Sequence, residues 1–132
     1  MTVKIHYNSL IPELSVSNIE KSRAFYEKLG FKMVYERPEN KFCFMQLFDN
    51  QIMIEQNNDN WNTGKMEYPY GRGINISMYV PDVENFYKQL LSKDVKMFLE
   101  LEVHEYRVND EISFDKEFLI QDPDGYLLRF NN

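Results

Sequence analysis

Two stretches of the chain alternate apolar and polar side chains with a period of two. Leu10, Pro12, Leu14 and Val16 share one side of the first, against Ile11, Glu13 and Ser15; Ile74, Ile76, Met78 and Val80 share one side of the second, against Asn75, Ser77 and Tyr79. That period predicts half-buried strands. A helical pattern follows each. Ser17-Asn18-Ile19-Glu20 reads as a capping box with Ser17 as N-cap, opening a helix that carries Ile19, Phe25, Tyr26 and Leu29 inward and stops at Gly30. Asp82 is the expected N-cap of a second helix presenting Val83, Phe86, Tyr87, Leu90 and Leu91, closed by Ser92-Lys93-Asp94. Strand-like runs come next: 31–35, 41–48 and 51–55 after the first helix, 95–101 and 114–121 after the second, with a less regular 102–112 between them. The turn Asp122-Pro123-Asp124-Gly125 then feeds a closing strand, in which Tyr126, Leu128 and Phe130 share one face and Leu127 and Arg129 the other.

The order of elements repeats. A shift of 64 places Val16 on Val80, Ile19 on Val83, Glu20 on Glu84 and Lys32 on Lys96, and a shift of 75 places Lys41 on Lys116, Gln46 on Gln121 and Ile52 on Leu127. The difference (75 − 64 = 11) is an insertion in the second half, between Leu101 and Ser113. The expected fold is α+β, with two tandem βαβββ modules at about 9–56 and 73–132 and a polar linker loop at 57–72. Modules of this kind pair, within one chain or between two, into a curved eight-stranded mixed sheet with helices on the convex face and a concave ligand surface. Leu14, Val16, Ile76, Met78 and Val80 then pack beneath the helices, while Glu13, Ser15, Asn75 and Ser77 line the concavity.

Composition narrows the function. A chain of 132 residues, 43% hydrophobic and 15% aromatic, suits one globular domain with a real core. Its net charge of −6 argues against a nucleic-acid partner and suits a cationic small ligand, although acidity also serves solubility alone. Cys43 is the only cysteine, so an internal disulfide and a Cys-based zinc site are excluded and a reducing compartment is expected. The first eight residues lack the apolar core of a signal peptide and no stretch approaches membrane-spanning length, so the expected location is the cytoplasm, with no membrane partner.

Ile11-Pro12-Glu13-Leu14-Ser15-Val16-Ser17 running into Ser22-Arg23-Ala24-Phe25-Tyr26 and Leu29-Gly30-Phe31, then Gly71 to Val83, then Gln121 to Phe130, resembles the vicinal oxygen chelate superfamily of glyoxalases, bleomycin resistance proteins and extradiol dioxygenases. The resemblance spans nearly the whole chain. For metal-dependent members it implies two ligands per module, at positions that fall here on Ile11, Ile54, Asn75 and Arg129. Glu55 takes the place of Ile54 if the fourth strand slips by one residue. None of the four is a usual ligand for a divalent metal, and Arg129 puts a permanent cation where the metal's charge belongs.

The resemblance is therefore closest to the bleomycin resistance proteins, which implies a homodimer that sequesters a cationic, aromatic drug without chemistry and without a cofactor. A cleft for such a ligand needs aromatic planes, acidic charge and polar edges. Candidate ligand-binding residues are Glu13, Phe44, Trp61, Tyr68, Tyr70, Asn75, Phe98, Tyr106 and Arg129, with Gln46 as a possible addition. Competing readings stand beside them. Trp61 can instead cover a sheet edge, the loop tyrosines can serve packing or a dimer contact, and Arg129 can pair with a carboxylate such as Glu13. His6 and His104, in the N-terminal tail and the insertion, read as exposed or hydrogen-bonded histidines.

Overall fold

A computed structural model describes residues 4–132. The chain divides into two compact units, with the boundary between Gly64 and Lys65. The first holds β1 (Glu13–Val16), α1 (Ile19–Leu29), β2 (Lys32–Arg37), β3 (Phe42–Leu47) and β4 (Asn50–Gln56); the second holds β5 (Asn75–Tyr79), α2 (Val83–Ser92), β6 (Leu99–Val108), β7 (Glu111–Gln121) and β8 (Leu127–Asn131). The eight strands are hydrogen-bonded in two four-stranded mixed sheets with the same order, β1-β4-β3-β2 and β5-β8-β7-β6. In each sheet the first and last strands pair in parallel and the rest are antiparallel.

Local chemistry explains the helix ends. Asn18, in an extended conformation, accepts the Lys21 N–H on its side chain and caps α1. Ser17 was the expected cap; both residue types can cap, and the helix begins one residue later, so Glu20 does not close a capping box. Gly30, at φ 110°, lets the chain reverse while its N–H and that of Phe31 satisfy the carbonyls of Glu27 and Tyr26. In α2, Asp82 accepts the Asn85 N–H as expected, and the N–H groups of Lys93 and Val95 return to Leu90 O.

Each unit has its own core on the helix side of its sheet. Leu14, Val16, Cys43, Met45, Ile52 and Ile54 lie with Leu29, Tyr26 and Phe31, and the rings of Tyr26 and Phe31 meet edge to face. In the second unit Met78, Val80, Ile120 and Leu128 surround Phe118 and Phe130, stacked at 5.3 Å, with Phe86 of α2 against both. Burying each such side chain contributes about 1.5–3 kcal/mol.

Two expectations are corrected by the ladders. Residues 102–112 are not irregular: the insertion extends β6 and β7 into a ribbon that turns at Asn109-Asp110, with Asn109 at φ 56°. The shift of 75 holds through β3 and slips by one at β4. Glu13 opposes Met53 while Ser77, its repeat partner, opposes Arg129, so β4 follows a shift of 76 (129 − 53 = 76). Counted between the equivalent pairs Gln46–Gln51 and Gln121–Leu127, the β7–β8 connection is one residue longer than the β3–β4 connection. Ile54 is therefore a core residue opposite Leu14, and Met53 is the position equivalent to Arg129.

Candidate functional site

With one face of each sheet committed to a helix, alternation hands the other face to the remaining residues. In the first unit the rows across that face can be read from the ladders. Glu13, Met53, Phe44 and Tyr35 form one row, and Ser15, Glu55, Phe42 and Arg37 the next. Phe42 and Phe44 are buried although they face away from α1. Tyr35 stacks on Phe44 at 5.1 Å with an interplanar angle of 14°, and Tyr7 meets Phe44 edge-on at 5.5 Å. The Arg37 guanidinium stands 4.0 Å over the Phe42 ring and 5.7 Å over that of Tyr35. Burial, and then the charge of Glu55, raise the Glu13 carboxyl above the usual carboxylate range, while Arg37 pulls it back. The face is an aromatic surface with two carboxylates at one end and a cation already resting on its rings.

The second unit is built differently. Its free face carries Asn75, Ser77 and Tyr79 on β5, Leu127, Arg129 and Asn131 on β8, Asp115, Glu117, Leu119 and Gln121 on β7, and Glu102, His104 and Tyr106 on β6. Glu117 is its centre: almost fully buried, it takes a hydrogen bond from Tyr106 Oη at 2.9 Å on one oxygen and from Arg129 Nη1 at 3.4 Å on the other. His104 Nε2 lies 2.8 Å from Glu102 Oε2 and 3.3 Å from Glu117 Oε1. Neither contact is aligned for a hydrogen bond, so both act through charge, and only when the imidazole is protonated. The hydrogen bond to Glu117 raises the Tyr106 phenol, and burial followed by the charge of Glu117 raises the Asp115 carboxyl. Asn131 Nδ2 donates to Ser77 Oγ at 2.8 Å. Such a surface can offer acceptors to a cation and both donors and acceptors to polar ligand edges.

The structure sorts the expected residues accordingly. Glu13 and Phe44 share a row in the first unit, and Tyr106 and Arg129 meet on Glu117 in the second, with Asn75 at the start of β5 on the same face. Gln46 shares the first unit's aromatic face, where it accepts from Gln51. Arg129 pairs with Glu117 of its own sheet. Phe98 stands before β6, beside Leu99, which is the residue opposite Leu119 on the polar face. Tyr68 and Tyr70 are drawn to the Asp122–Gly125 turn: Tyr70 N donates to Asp124 O and its ring meets Tyr126, while Tyr68 and Pro69 lie against Gly125. Trp61 is 78% exposed and shares no ring contact among the described residues.

Sequence reasoning passed over Glu117, Glu102, Asp115, Tyr35, Phe42 and Arg37, and read His104 only as an exposed or hydrogen-bonded histidine. One signal was there. Glu117 stands just before the apolar run Phe118-Leu119-Ile120, on the parity of Leu119 and Gln121, which marks the polar face.

The metal that some members of such a fold carry does not fit this chain's residues. By register the ligand positions are Ile11, Met53, Asn75 and Arg129, which offer one neutral amide oxygen, one thioether and a guanidinium engaged with Glu117. Among the described residues no group of three or more His, Cys, Asp or Glu side chains could hold a metal ion.

Duplicated βαβββ topology, with a parallel outer pair in each sheet and one face of each left free of its helix, defines an α+β class of paired-module proteins. The model of the Glyoxalase/Bleomycin resistance protein/Dioxygenase superfamily matches residues 6–130, and the chain belongs to that superfamily. Among solved structures it is similar to TioX from Micromonospora sp. ML1, with 11% identity over 96% of this chain and 98% of that one and a TM-score of 0.72. It is also similar to a bleomycin-binding protein in complex with bleomycin, with 19% identity, 96% and 98% coverage and a TM-score of 0.66. A superfamily member from Alicyclobacillus acidocaldarius matches at 21% identity over 94% and 89%, with a TM-score of 0.65. Identities this low show the fold. No curated protein matches the chain by sequence.

Proposed function

We propose that the protein binds and sequesters a small, cationic, aromatic ligand of the bleomycin type without transforming it, as a cytoplasmic homodimer serving antibiotic resistance. The observation that carries this reading is Arg37 over Phe42 and Tyr35, beside Glu13 and Glu55. The protein's own guanidinium already makes the cation–aromatic contact that such a ligand would make. The structural likeness to a bleomycin-binding protein supports the reading, as does the poor fit of Ile11, Met53, Asn75 and Arg129 to a metal. Glu13, Phe44, Asn75, Tyr106 and Arg129 are the proposed ligand contacts on the sheet faces, and Trp61, Tyr68, Tyr70 and Phe98 are proposed as contacts from the loops.

The test is a titration of metal-stripped protein with metal-free and with copper-loaded bleomycin, following Trp61 fluorescence and heat release together. Saturable binding near one drug per chain at micromolar or tighter affinity, weakened by Glu13→Gln and blunted by Trp61→Ala, is expected. No heat and no fluorescence change with either form would overturn the drug as ligand. A stoichiometric transition metal in the protein as purified would instead favour a metal-dependent lyase or dioxygenase of the same superfamily.

A further inference from the structure

Two polar groups on the second unit's free face lack partners. Among the described residues, Arg129 Nε and His104 Nε2 are buried atoms that make no hydrogen bond, and both flank the same carboxylate, Glu117. Arg129 Nη1 lies 3.4 Å from one of its oxygens and His104 Nε2 lies 3.3 Å from the other. Buried polar atoms without partners are uncommon in folded proteins, and two around one carboxylate point to a partner from outside the chain. The two side chains are 34% and 36% exposed, so they reach the surface of the face, where a ligand can meet them.

Their chemistry narrows that partner. The Nε–H of a guanidinium can only donate, so what it lacks is an acceptor. An anion is the strongest acceptor, but Glu102, Asp115 and Glu117 already set three carboxylates around the permanent cation Arg129. The Asp115 carboxyl registers the crowding: burial and then the charge of Glu117 raise it, while Arg129 and His104 pull it back. A fourth carboxylate would add to the repulsion. A cation would suit the acids and leave the Arg129 Nε–H bare. An uncharged edge with an acceptor beside a donor answers both needs: its oxygen takes the Nε–H, and its N–H goes to Asp115, which stands across the ladder from His104. The same edge serves His104 Nε2 in either tautomer, as acceptor when that nitrogen carries the ring hydrogen and as donor when it does not.

We infer that the corner formed by Arg129, Glu117 and His104 is a subsite for an uncharged carboxamide edge of the ligand, with the carboxamide oxygen on Arg129 Nε–H and its N–H on Asp115. The inference rests on the proposed binding of a small ligand at the free faces and names the group that this face reads. Glu117 is a positioning residue here: held by Tyr106 Oη at 2.9 Å, it engages Arg129 through Nη1 and leaves Nε–H to the ligand.

Nitrogen–proton NMR of the full chain, read at the arginine Nε–H signals and at the backbone N–H of Asp115, tests it with benzamide, benzoate and benzylammonium. The signal lost in Arg129→Lys, which keeps the charge beside Glu117, is that of Arg129. Benzamide should move it saturably and leave that of Arg23, whose Nε already donates to Glu27 at 2.7 Å, in place. Benzoate should bind at least about tenfold more weakly, and Arg129→Lys should weaken benzamide about tenfold, the worth of one hydrogen bond to a charged group. Asp115→Ala should weaken benzamide as well, and benzylammonium should leave the Arg129 signal unmoved. Benzoate that moves the signal as readily as benzamide overturns the uncharged edge in favour of an anion. A signal that no probe moves overturns the subsite and leaves the two groups to water, and benzamide binding undiminished in both variants overturns the assignment to Arg129 and Asp115. No probe is the drug, so bleomycin can fail to bind while the subsite stands, and can bind while it fails.

Discussion

Arg129 shows how one residue changes meaning when its neighbours are known. On the strand pattern it was a cation on the free face, expected to meet the ligand or to pair with a carboxylate such as Glu13. In the structure it holds a nearly buried carboxylate, Glu117, from one side while Tyr106 holds it from the other. Removing the guanidinium leaves that carboxylate short of one charged partner. We expect Arg129→Met to lower stability by about 1–3 kcal/mol, the penalty for an under-satisfied buried polar group, as measured by urea denaturation. Arg129→Met combined with Glu117→Gln should recover part of that loss, because the charge that needed the partner is gone. Additive losses in the double variant would show that the two side chains act independently. Arg129 was legible as a free-face residue from alternation, and its partner was not. That partner comes from the pairing of β7 with β8, and pairing is a long-range fact.

At the scale of elements, strands and helices followed from local patterning and their ends from local chemistry. Asp82 and Gly30 act as caps where their side chain or φ allows it. Less could be read where two local choices compete, as at Ser17 and Asn18, or where a loop's length decides register. The alternation of Ile52 and Ile54 with Gln51, Met53 and Glu55 agrees with Ile54 in the core, but the pairing that sets Met53 opposite Glu13 depends on the one-residue difference between the connections and is not visible within β4. The β7–β8 turn also explains why Tyr68 and Tyr70 pack where they do. Gly125 sits at φ 97°, and a Cβ there would meet Pro69 Cβ at 2.5 Å and its Cα at 2.6 Å. Gly125→Ala should therefore destabilise the protein by about 1–3 kcal/mol from backbone strain alone, read by thermal denaturation. It should also displace the Tyr68–Tyr70 segment, seen as lost nuclear Overhauser contacts between Tyr70 and Tyr126. An alanine variant with unchanged stability and intact contacts would mean that the segment accommodates the methyl group freely.

For the whole molecule, net charge and the two free faces bear on the same question. With a formal charge of −6 and carboxylates at 13, 55, 102, 115 and 117 on those faces, attraction to a cationic ligand should be partly long-range. Screening shortens that reach to about 10 Å at 0.1 M salt. The dissociation constant for metal-free bleomycin should rise several-fold between about 0.05 and about 0.5 M salt, measured by calorimetry. Salt-independent binding would assign the affinity to the aromatic rings.

By itself the sequence determined the duplicated order of elements, the side of β1 and β5 that packs beneath a helix, and the absence of ligand-type side chains at Ile11, Asn75 and Arg129. These depend on periods of two and 3.6 residues and on residue chemistry, all of which are local. Only the tertiary structure decided that Met53 rather than Ile54 stands opposite Glu13, that Phe42 and Tyr35 carry Arg37, that Glu117 gathers Tyr106, His104 and Arg129, and that the insertion is a ribbon. Each of these is a meeting of residues far apart in the chain. It depends on strand register, which turn length sets and which the two-residue period leaves open.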